Sequence, residues 1–262
     1  MVSLKTILTK KASEYFISHG STERAKINTS ISTIKTRIKS DFGKDVNEVK
    51  IFGSWDRDTT LPRYYDILSD VDIMIVFNHE FLNRTPETYR KWVKEFAEYR
   101  YATSIIQKDF PTVRLDMNHI TFDLIPTKID GFLFQSHYIP DKGNNWMITD
   151  PFKFTESVKS ANSNNNSIVK PILRLIKAWN AHNNYPFNSY VLEKWILENV
   201  SFWNKDVESG FYTAANSFTT WGLTTFQQQK VTSLKNNIGK IEDCLKKNNL
   251  IGAMSWLDRI LP

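Results

Sequence analysis

The chain has 262 residues, of which 41% are hydrophobic and 24% are charged, with nine glycines and nine prolines. This composition is typical of a globular protein of one large or two modest domains, and it excludes collagen-like, mucin-like and disordered chains. There are 34 lysines and arginines against 28 aspartates and glutamates, and the formal net charge of +6 favours anionic partners such as nucleotides, nucleic acid or acidic surfaces.

A single cysteine, Cys244, excludes an internal disulfide and a thiolate metal cage, so nothing in the sequence requires an oxidising compartment. The N-terminal segment lacks the apolar core of a secretory signal, and no stretch reaches the ~20 apolar residues of a membrane helix. We therefore expect a cytoplasmic protein with no membrane partner.

Helical and strand patterns alternate over the first 150 residues. Residues 4–42 show a helical pattern with one apolar stripe, and Gly43 is its predicted end. The stripe consists of Ile27, Ile31, Ile34 and Ile38. Four elements are predicted next: a strand at 49–52, a buried strand at 71–77, a helix at 85–101 with Thr85 as its N-cap, and a hairpin of strands 113–117 and 120–125 joined by two residues.

Helical patterns dominate beyond residue 150. A polar tract at 160–167 is predicted to be a loop ending in Ser167 as a helix N-cap. Helices are predicted at 168–182, 189–202 and about 220–247, followed by a short tail. The fold class is therefore α/β, in the α+β sense, with a sheet-containing lobe at 1–150 and a helical lobe at 151–262, between which a ligand cleft is expected.

Two carboxylates, Asp70 and Asp72, stand at the head of the predicted strand 71–77. Residues two apart project to the same face of a strand, so these side chains are expected to lie side by side. Like charges this close disfavour one another unless an oxygen-preferring divalent cation such as Mg²⁺ binds them. The pattern therefore indicates a metal site, and the alternative is a turn in which Asp70 caps and Asp72 is solvated.

A third carboxylate, Asp123, lies within the predicted strand 120–125 between apolar neighbours, and is therefore expected to face a buried site. Three carboxylates on adjacent strands could hold two metal ions for phosphoryl transfer, one activating an attacking hydroxyl and one steadying the leaving pyrophosphate. Asp116, on the partner strand of the hairpin, is a rival third ligand. The favoured interpretation of Asp116 is an outward-facing strand residue.

Gly53 and Ser54 directly follow the predicted strand 49–52. A glycine lets the backbone approach a phosphate closely, and the following N–H groups and the Ser54 hydroxyl can bind phosphate oxygens. A Gly-Ser pair alone is commonly only a turn. Its significance lies in the order of the chain: a strand, Gly-Ser, a loop with Arg57 and Thr59, the aspartate pair, and a later aspartate.

The predicted helix 168–182 has a basic side. Ile168, Ile172, Leu175 and Trp179 form its apolar stripe, and Lys170, Arg174 and Lys177 gather opposite. Like charges at spacings of 4 and 3 cost a few tenths of a kcal/mol per pair, so an anion bound over them would explain the pattern. The alternative is a solvated basic face.

Three motif blocks, FGSWDRDT at 52–59, SDVDI at 69–73 and TFDLIP at 121–126, resemble the polymerase-β type of nucleotidyltransferase. More narrowly they resemble its cyclic-GMP-AMP-synthase-like and oligoadenylate-synthase-like branch, the bacterial CD-NTases with a SMODS domain. In this branch glycine is commonest where this chain has Asp58. The resemblance implies the two-lobed nucleotidyltransferase fold, with a mixed β-sheet palm lobe carrying an N-terminal spine helix and a helical, nucleotide-binding C-terminal lobe.

The resemblance also implies roles for individual residues. Asp70, Asp72 and Asp123 would be the catalytic residues and would bind two Mg²⁺ ions, for which Mn²⁺ can substitute. The nucleotide-binding residues would be Gly53, Ser54, Lys177 and Ser189 for the triphosphate and Tyr190 for stacking on the base, with Arg57, Thr59, Lys170 and Arg174 as secondary phosphate contacts. The alternative for Tyr190 is a core aromatic at a helix start.

We therefore expect an enzyme, a nucleotidyltransferase that joins NTPs into a cyclic or short linear oligonucleotide second messenger with release of pyrophosphate. As the resemblance implies, it would act in bacterial anti-phage defence, with a nucleic-acid or protein activator and a separately encoded effector. One alternative is template-independent extension of RNA or DNA, or nucleotidylation of a protein or tRNA. A second is a non-catalytic nucleotide or nucleic-acid sensor. P-loop, Rossmann and zinc-ligand spacings are absent from the sequence.

Overall fold

The computed structural model describes residues 3–131, 136–142 and 144–262, except for the side chains of Lys108 and Asp109. These residues form two compact units, each built from separate parts of the chain. The sheet unit contains Ser18–Arg57 and Leu68–Glu156, and the helical unit contains the chain up to Ile17, Asp58–Ile67 and Ser157–Pro262. Near the predicted boundary at residue 150, the chain leaves the sheet unit after Glu156 and enters the helical unit at Ser157.

The sheet unit begins with a long helix and then follows the order of motifs predicted from the sequence. Its elements are α2 (Thr22–Phe42), β1 (Val46–Phe52), α3 (Gly53–Asp56), β2 (Asp70–Phe77), α4 (His79–Leu82), α5 (Pro86–Arg100), β3 (Ile105–Asp109), β4 (Thr112–Asp116), β5 (Thr121–Asp130), β6 (Ser136–Pro140), β7 (Trp146–Thr149) and the first part of α6 (Pro151–Asn164).

The seven described strands form one mixed sheet. Its order is β1-β2-β5-β4-β3, and β6 pairs with both β5 and β7. The pair β2 and β5 is parallel, whereas the remaining pairs are antiparallel. Strand β2 therefore has a neighbour on each side, which explains why its sequence is an almost unbroken apolar run.

The core of the sheet unit lies on β2 and β5. From Ile73 to Phe77 every side chain of β2 is buried, and Phe77 stacks on Tyr89 of α5 with ring centroids 4.4 Å apart. The predicted isoleucine stripe of α2 is also buried, and the predicted N-cap Thr85 accepts a hydrogen bond from the backbone of Thr88. Burial of each large apolar side chain stabilises the fold by about 1.5–3 kcal/mol.

The helical unit is built around one buried helix. Its helices are α1 (Leu4–Glu14), the end of α6, α7 (Val169–His182), α8 (Ser189–Asn199), α9 (Val207–Ser217), α10 (Thr225–Lys246) and α11 (Leu250–Leu257). Residues 172–180 of α7 are all buried. Helix α9 approaches α7 so closely that a Cβ on Gly210 would lie 2.3 Å from Cδ1 of Ile172.

Two helical predictions need correction. The stretch 4–42 is two helices, because a turn ends α1 and Ser21 then caps α2 with its side chain. The polar tract 160–167 is helical as far as Asn164, and Ser167 is no N-cap, since its φ is +60°. The side chain of Asn162 instead accepts the backbone N–H of Lys170, at 3.0 Å, in the first turn of α7. Among the described residues, none of the helices combines the length and apolar character that a membrane span requires.

Candidate active site

The three predicted catalytic carboxylates lie on neighbouring strands. Strands β2 and β5 run parallel, and Asp72 is in register with Asp123, as Asp70 is with Thr121. Residues in register on adjacent strands, and residues two apart on one strand, share a face of the sheet. Asp70, Asp72 and Asp123 therefore project from the same face, at the point where β2 begins.

The Gly-Ser motif lies beside the aspartate pair, and Gly53 is the residue that contacts it. Its backbone has a φ of +74°, a conformation that glycine adopts readily, and a Cβ built on it would lie only 1.8 Å from Oδ2 of Asp72. The Gly53 backbone is thus packed directly against the Asp72 carboxylate, and Ser54 follows in α3. The Gly-Ser loop and the aspartate pair are therefore adjacent, and phosphate binding by the loop stays a prediction.

Asp123 is held by Arg114, an arginine outside the three sequence motifs. Nε of Arg114 donates to Oδ1 of Asp123 and Nη2 donates to Oδ2, each at 3.0 Å. The Asp123 side chain is only 8% exposed, whereas that of Arg114 is 31% exposed. The pair spans β4 and β5, where Arg114 and Asp123 are in register. The two-residue connection predicted for this hairpin already implies that register, because it places 117 opposite 120 and therefore 114 opposite 123.

The donor chemistry of the aspartate pair fits a magnesium ion. Asp70 and Asp72 offer carboxylate oxygens on one face, which hard divalent cations prefer. In the part of the chain that the structure describes, however, no group of three His, Cys, Asp or Glu side chains is arranged to hold a metal ion. Asp123 is paired with Arg114, which binds both of its oxygens, and a metal site formed by the three aspartates stays a prediction. The rival ligand Asp116 accepts the Thr121 hydroxyl at 3.0 Å.

The basic side of α7 binds the chain itself. Arg174 donates to the carbonyl oxygens of Ala12 and Asp58, both at 3.0 Å. Nζ of Lys170 lies 3.0 Å from Oδ2 of Asp58. The two side chains thus fix the residue that opens the segment 58–67.

Lys177 lies one turn beyond Arg174 and is also buried. Its Nζ donates to the Thr59 carbonyl oxygen at 2.8 Å and lies 3.6 Å from Oε1 of Glu193 in α8. Arg174 and Lys177 are 7% and 5% exposed, so the alternative of a solvated basic face is wrong for them. What covers this side of α7 is segment 58–67, and a phosphate contact for any of the three basic residues stays a prediction.

Segment 58–67 is anchored at both ends. Asp58 has a φ of +59° at the position where the resembled family most often has glycine, and its bond to Lys170 offsets the strain of this left-handed conformation. At the other end, the Tyr185 hydroxyl donates to Oδ1 of Asp66 at 2.8 Å. Burial lowers the pKa of the Arg174 guanidinium to about 10, against the opposing effect of Asp58.

Replacing Arg174 by methionine is expected to lower the free energy of unfolding by about 2–3 kcal/mol. The change preserves side-chain bulk but leaves two carbonyl oxygens without their charged donor. Urea denaturation followed by circular dichroism measures the effect. Lys194→Met is the control, because the pair of Lys194 with Glu198 is exposed, and it should change stability by less than about 0.5 kcal/mol. Equal stability of the two variants would contradict the anchoring role.

The remaining predicted residues divide between the two units. In the sheet unit, Arg57 is 4% exposed, and its guanidinium lies 4.9 Å from the Phe154 ring centroid. In the helical unit, Thr59 is fully buried and Ser189 is the first residue of α8. Tyr190 is 49% exposed, so the core-aromatic alternative for it is wrong. Asn188, missed from the sequence, caps this helix by accepting the backbone N–H groups of Tyr190 and Val191.

Residues 3–162, more than half of the chain, match the Second Messenger Oligonucleotide or Dinucleotide Synthetase (SMODS) domain family. The chain belongs to the SMODS family. Members of this family are metal-dependent nucleotidyltransferases.

Two curated relatives support the SMODS assignment. A probable cyclic nucleotide synthase of Bacillus cereus is 26% identical over 205 residues, which cover 63% of this chain and 61% of the relative. A cyclic AMP-AMP-AMP synthase of Acinetobacter is 23% identical over 184 residues, which cover 67% of this chain and 52% of the relative. The chain thus spans between half and two thirds of the length of these proteins.

Solved structures of other CD-NTases share the fold. The Bradyrhizobium diazoefficiens enzyme CdnG, in complex with GTP, has a TM-score of 0.73 at 13% identity, covering 98% of this chain and 97% of its own. The E. coli enzyme CdnC, solved with ATP, has a TM-score of 0.65 at 10% identity, covering 97% and 96%. The predicted family and the predicted α/β nucleotidyltransferase fold are confirmed.

Proposed function

We propose that this SMODS protein is a Mg²⁺-dependent nucleotidyltransferase that joins nucleoside triphosphates into a cyclic or short linear oligonucleotide and releases pyrophosphate. One observation supports this activity most directly. Asp72 lies in register with Asp123 on a parallel neighbouring strand and against the backbone of Gly53. Carboxylates for a metal and a loop for phosphate oxygens therefore share one face of the sheet.

The reaction is an in-line displacement at the α-phosphorus of an NTP. An acceptor ribose hydroxyl attacks the phosphorus, the bond to the bridging oxygen of the β-phosphate breaks, and pyrophosphate leaves with that electron pair. Asp70 and Asp72 would hold two Mg²⁺ ions, which when bound supply Lewis-acid stabilisation of the hydroxyl and of the leaving group. Asp123 would help to hold the ion at the attacking hydroxyl, and the proton of the hydroxyl leaves to solvent.

The Gly53 backbone and the Ser54 side chain position the triphosphate in this proposal. Gly53 has no side chain, so phosphate oxygens can approach beside Asp72. In the helical unit, we assign Lys177 and Ser189 to the triphosphate and Tyr190 to stacking on the base, which the exposure of the Tyr190 ring supports. The burial of Arg57, Thr59 and Arg174 and the bond of Lys170 to Asp58 suggest that these four residues shape the surrounding chain.

The biological role proposed here is synthesis of a second messenger in anti-phage defence. The names of the two curated relatives, both cyclic nucleotide synthases, support a cyclic product. The E. coli enzyme CdnC has been solved in complex with a HORMA protein, which supports a protein as the activator. The effector that binds the product would be a separate protein.

Product analysis tests this function. The purified protein is incubated with Mg²⁺ and either all four NTPs or all four dNTPs, and the products are examined by mass spectrometry before and after phosphatase treatment. We expect pyrophosphate release and an oligonucleotide that resists phosphatase, as a cyclic product does. A product that lengthens an added RNA or DNA primer would favour the linear alternative. Absence of pyrophosphate release with either set, with Mg²⁺ or Mn²⁺, would contradict the proposal.

A further inference from the structure

Arg114, Asp123 and Asp72 form a row across three adjacent strands. Arg114 of β4 is in register with Asp123 of β5, which is in register with Asp72 of β2. All three side chains therefore lie on the face that carries the proposed metal site. Both terminal oxygens of Asp123 accept hydrogen bonds from the Arg114 guanidinium.

A planar guanidinium that binds both carboxylate oxygens is the strongest form of this pair, and it also fixes the orientation of the carboxylate. Without a cation, the charge of Asp123 would lie beside that of Asp72 on the next strand, which is unfavourable. Arg114 removes this repulsion in the protein as described. The same positive charge then opposes the binding of a divalent cation at the neighbouring aspartates.

We propose that Arg114 is a positioning residue that substitutes for the charge of the metal at Asp123 and releases this carboxylate when metal and nucleotide bind. This role rests on the proposed assignment of Asp70 and Asp72 to the metal. It explains why an arginine pairs with a carboxylate on the face of the proposed metal site. It also makes Arg114 a determinant of the metal concentration that the enzyme requires.

Mn²⁺ binding in the absence of nucleotide tests the role of Arg114 without relying on turnover. Free Mn²⁺ is titrated by electron paramagnetic resonance against the wild-type protein, Arg114→Met and Arg114→Lys. We expect Arg114→Met to bind Mn²⁺ about tenfold more tightly, which lies within the range of about 5- to 150-fold that is typical of coupling between two sites. Arg114→Lys keeps the charge but loses the two-pronged geometry, so its affinity should fall between the other two.

Arg100→Met is a matched control. Arg100 also binds both oxygens of one aspartate, Asp41, and its side chain is 34% exposed, close to the 31% of Arg114. This variant should bind Mn²⁺ as the wild type does. Adding Asp123→Asn to Arg114→Met should abolish the gain in affinity, because the released carboxylate is then neutral.

Unchanged or weaker Mn²⁺ binding in both Arg114 variants would overturn the inference, and so would a gain that survives Asp123→Asn. Arg114→Lys provides the result if Arg114→Met does not fold. A different result would contradict the proposed function without contradicting the role of Arg114. A wild-type protein that releases no pyrophosphate, while Arg114→Met still gains affinity, would refute the activity and leave the role of Arg114 at the cation site supported.

Discussion

Replacing Asp70 and Asp72 together by asparagine is expected to abolish pyrophosphate release from NTPs, with a loss of at least about 10³-fold in rate. The two side chains head the central strand on one face, and the ions that they would hold supply several kcal/mol of transition-state stabilisation. Asparagine preserves the shape of aspartate, so the fold should persist, which circular dichroism can verify. A coupled pyrophosphate assay measures the rate.

Asp130→Asn is the control for this double variant. Asp130 lies at the far end of β5, is exposed and pairs with Lys128 at 2.9 Å, so its loss should change the rate by less than about twofold. Retained turnover in the double variant would contradict the assignment of Asp70 and Asp72 to the metal. An inactive wild-type protein that binds NTPs would instead favour the sensor alternative.

Replacing Gly53 by alanine is expected to reduce the rate more than about 100-fold. The added methyl group would lie 1.8 Å from Oδ2 of Asp72, so the loop, the carboxylate or both must move. A displacement of about 1 Å at a catalytic group can cost a factor of this size. The φ of +74° adds a backbone strain of about 1 kcal/mol for any residue other than glycine.

Gly222→Ala separates the clash from the strain. Gly222 has the same φ of +74°, but no atom lies within 4 Å of the position that its Cβ would take. We expect this variant to lose about 1 kcal/mol of stability and to retain full activity. Thermal denaturation and the pyrophosphate assay, applied to both variants, distinguish the two effects. Similar activity of the two variants would show that contact with Asp72 does not matter.

Local patterns predicted the parts of the fold in which one periodicity dominates. The apolar run of β2, the isoleucine stripe of α2 and the N-cap Thr85 of α5 are all present as expected. The strands β6 and β7 were missed, because Ser136–Pro140 and Trp146–Thr149 are short and only partly buried, and pairing with one another and with β5 defines them. Helix α9 was missed as well, although Asp206 and Ser209 form a capping box at its start.

Part of the candidate site could also be predicted from the sequence. The position of Asp123 beside Asp72 follows from the motif order, and Arg114 could have been found from the register of the hairpin. The predicted anion over the basic side of α7 rests on helical periodicity, which separates charged from apolar sides but cannot show whether another part of the chain covers the charged side. Here Arg174 and Lys177 are covered by segment 58–67.

The segment Asp58–Ile67 groups with the helical unit although its flanks, Arg57 and Leu68, belong to the sheet unit. Recombination between members of the family is constrained by this arrangement. A chimera joined at a single point near residue 150 would combine segment 58–67 of one parent with the α7 of another and would lose matched pairs such as Asp58 with Lys170 and Asp66 with Tyr185. A functional exchange of the helical half therefore has to include the ten residues of segment 58–67. We expect sequence changes in this segment to be correlated with changes in the helical residues that pair with it.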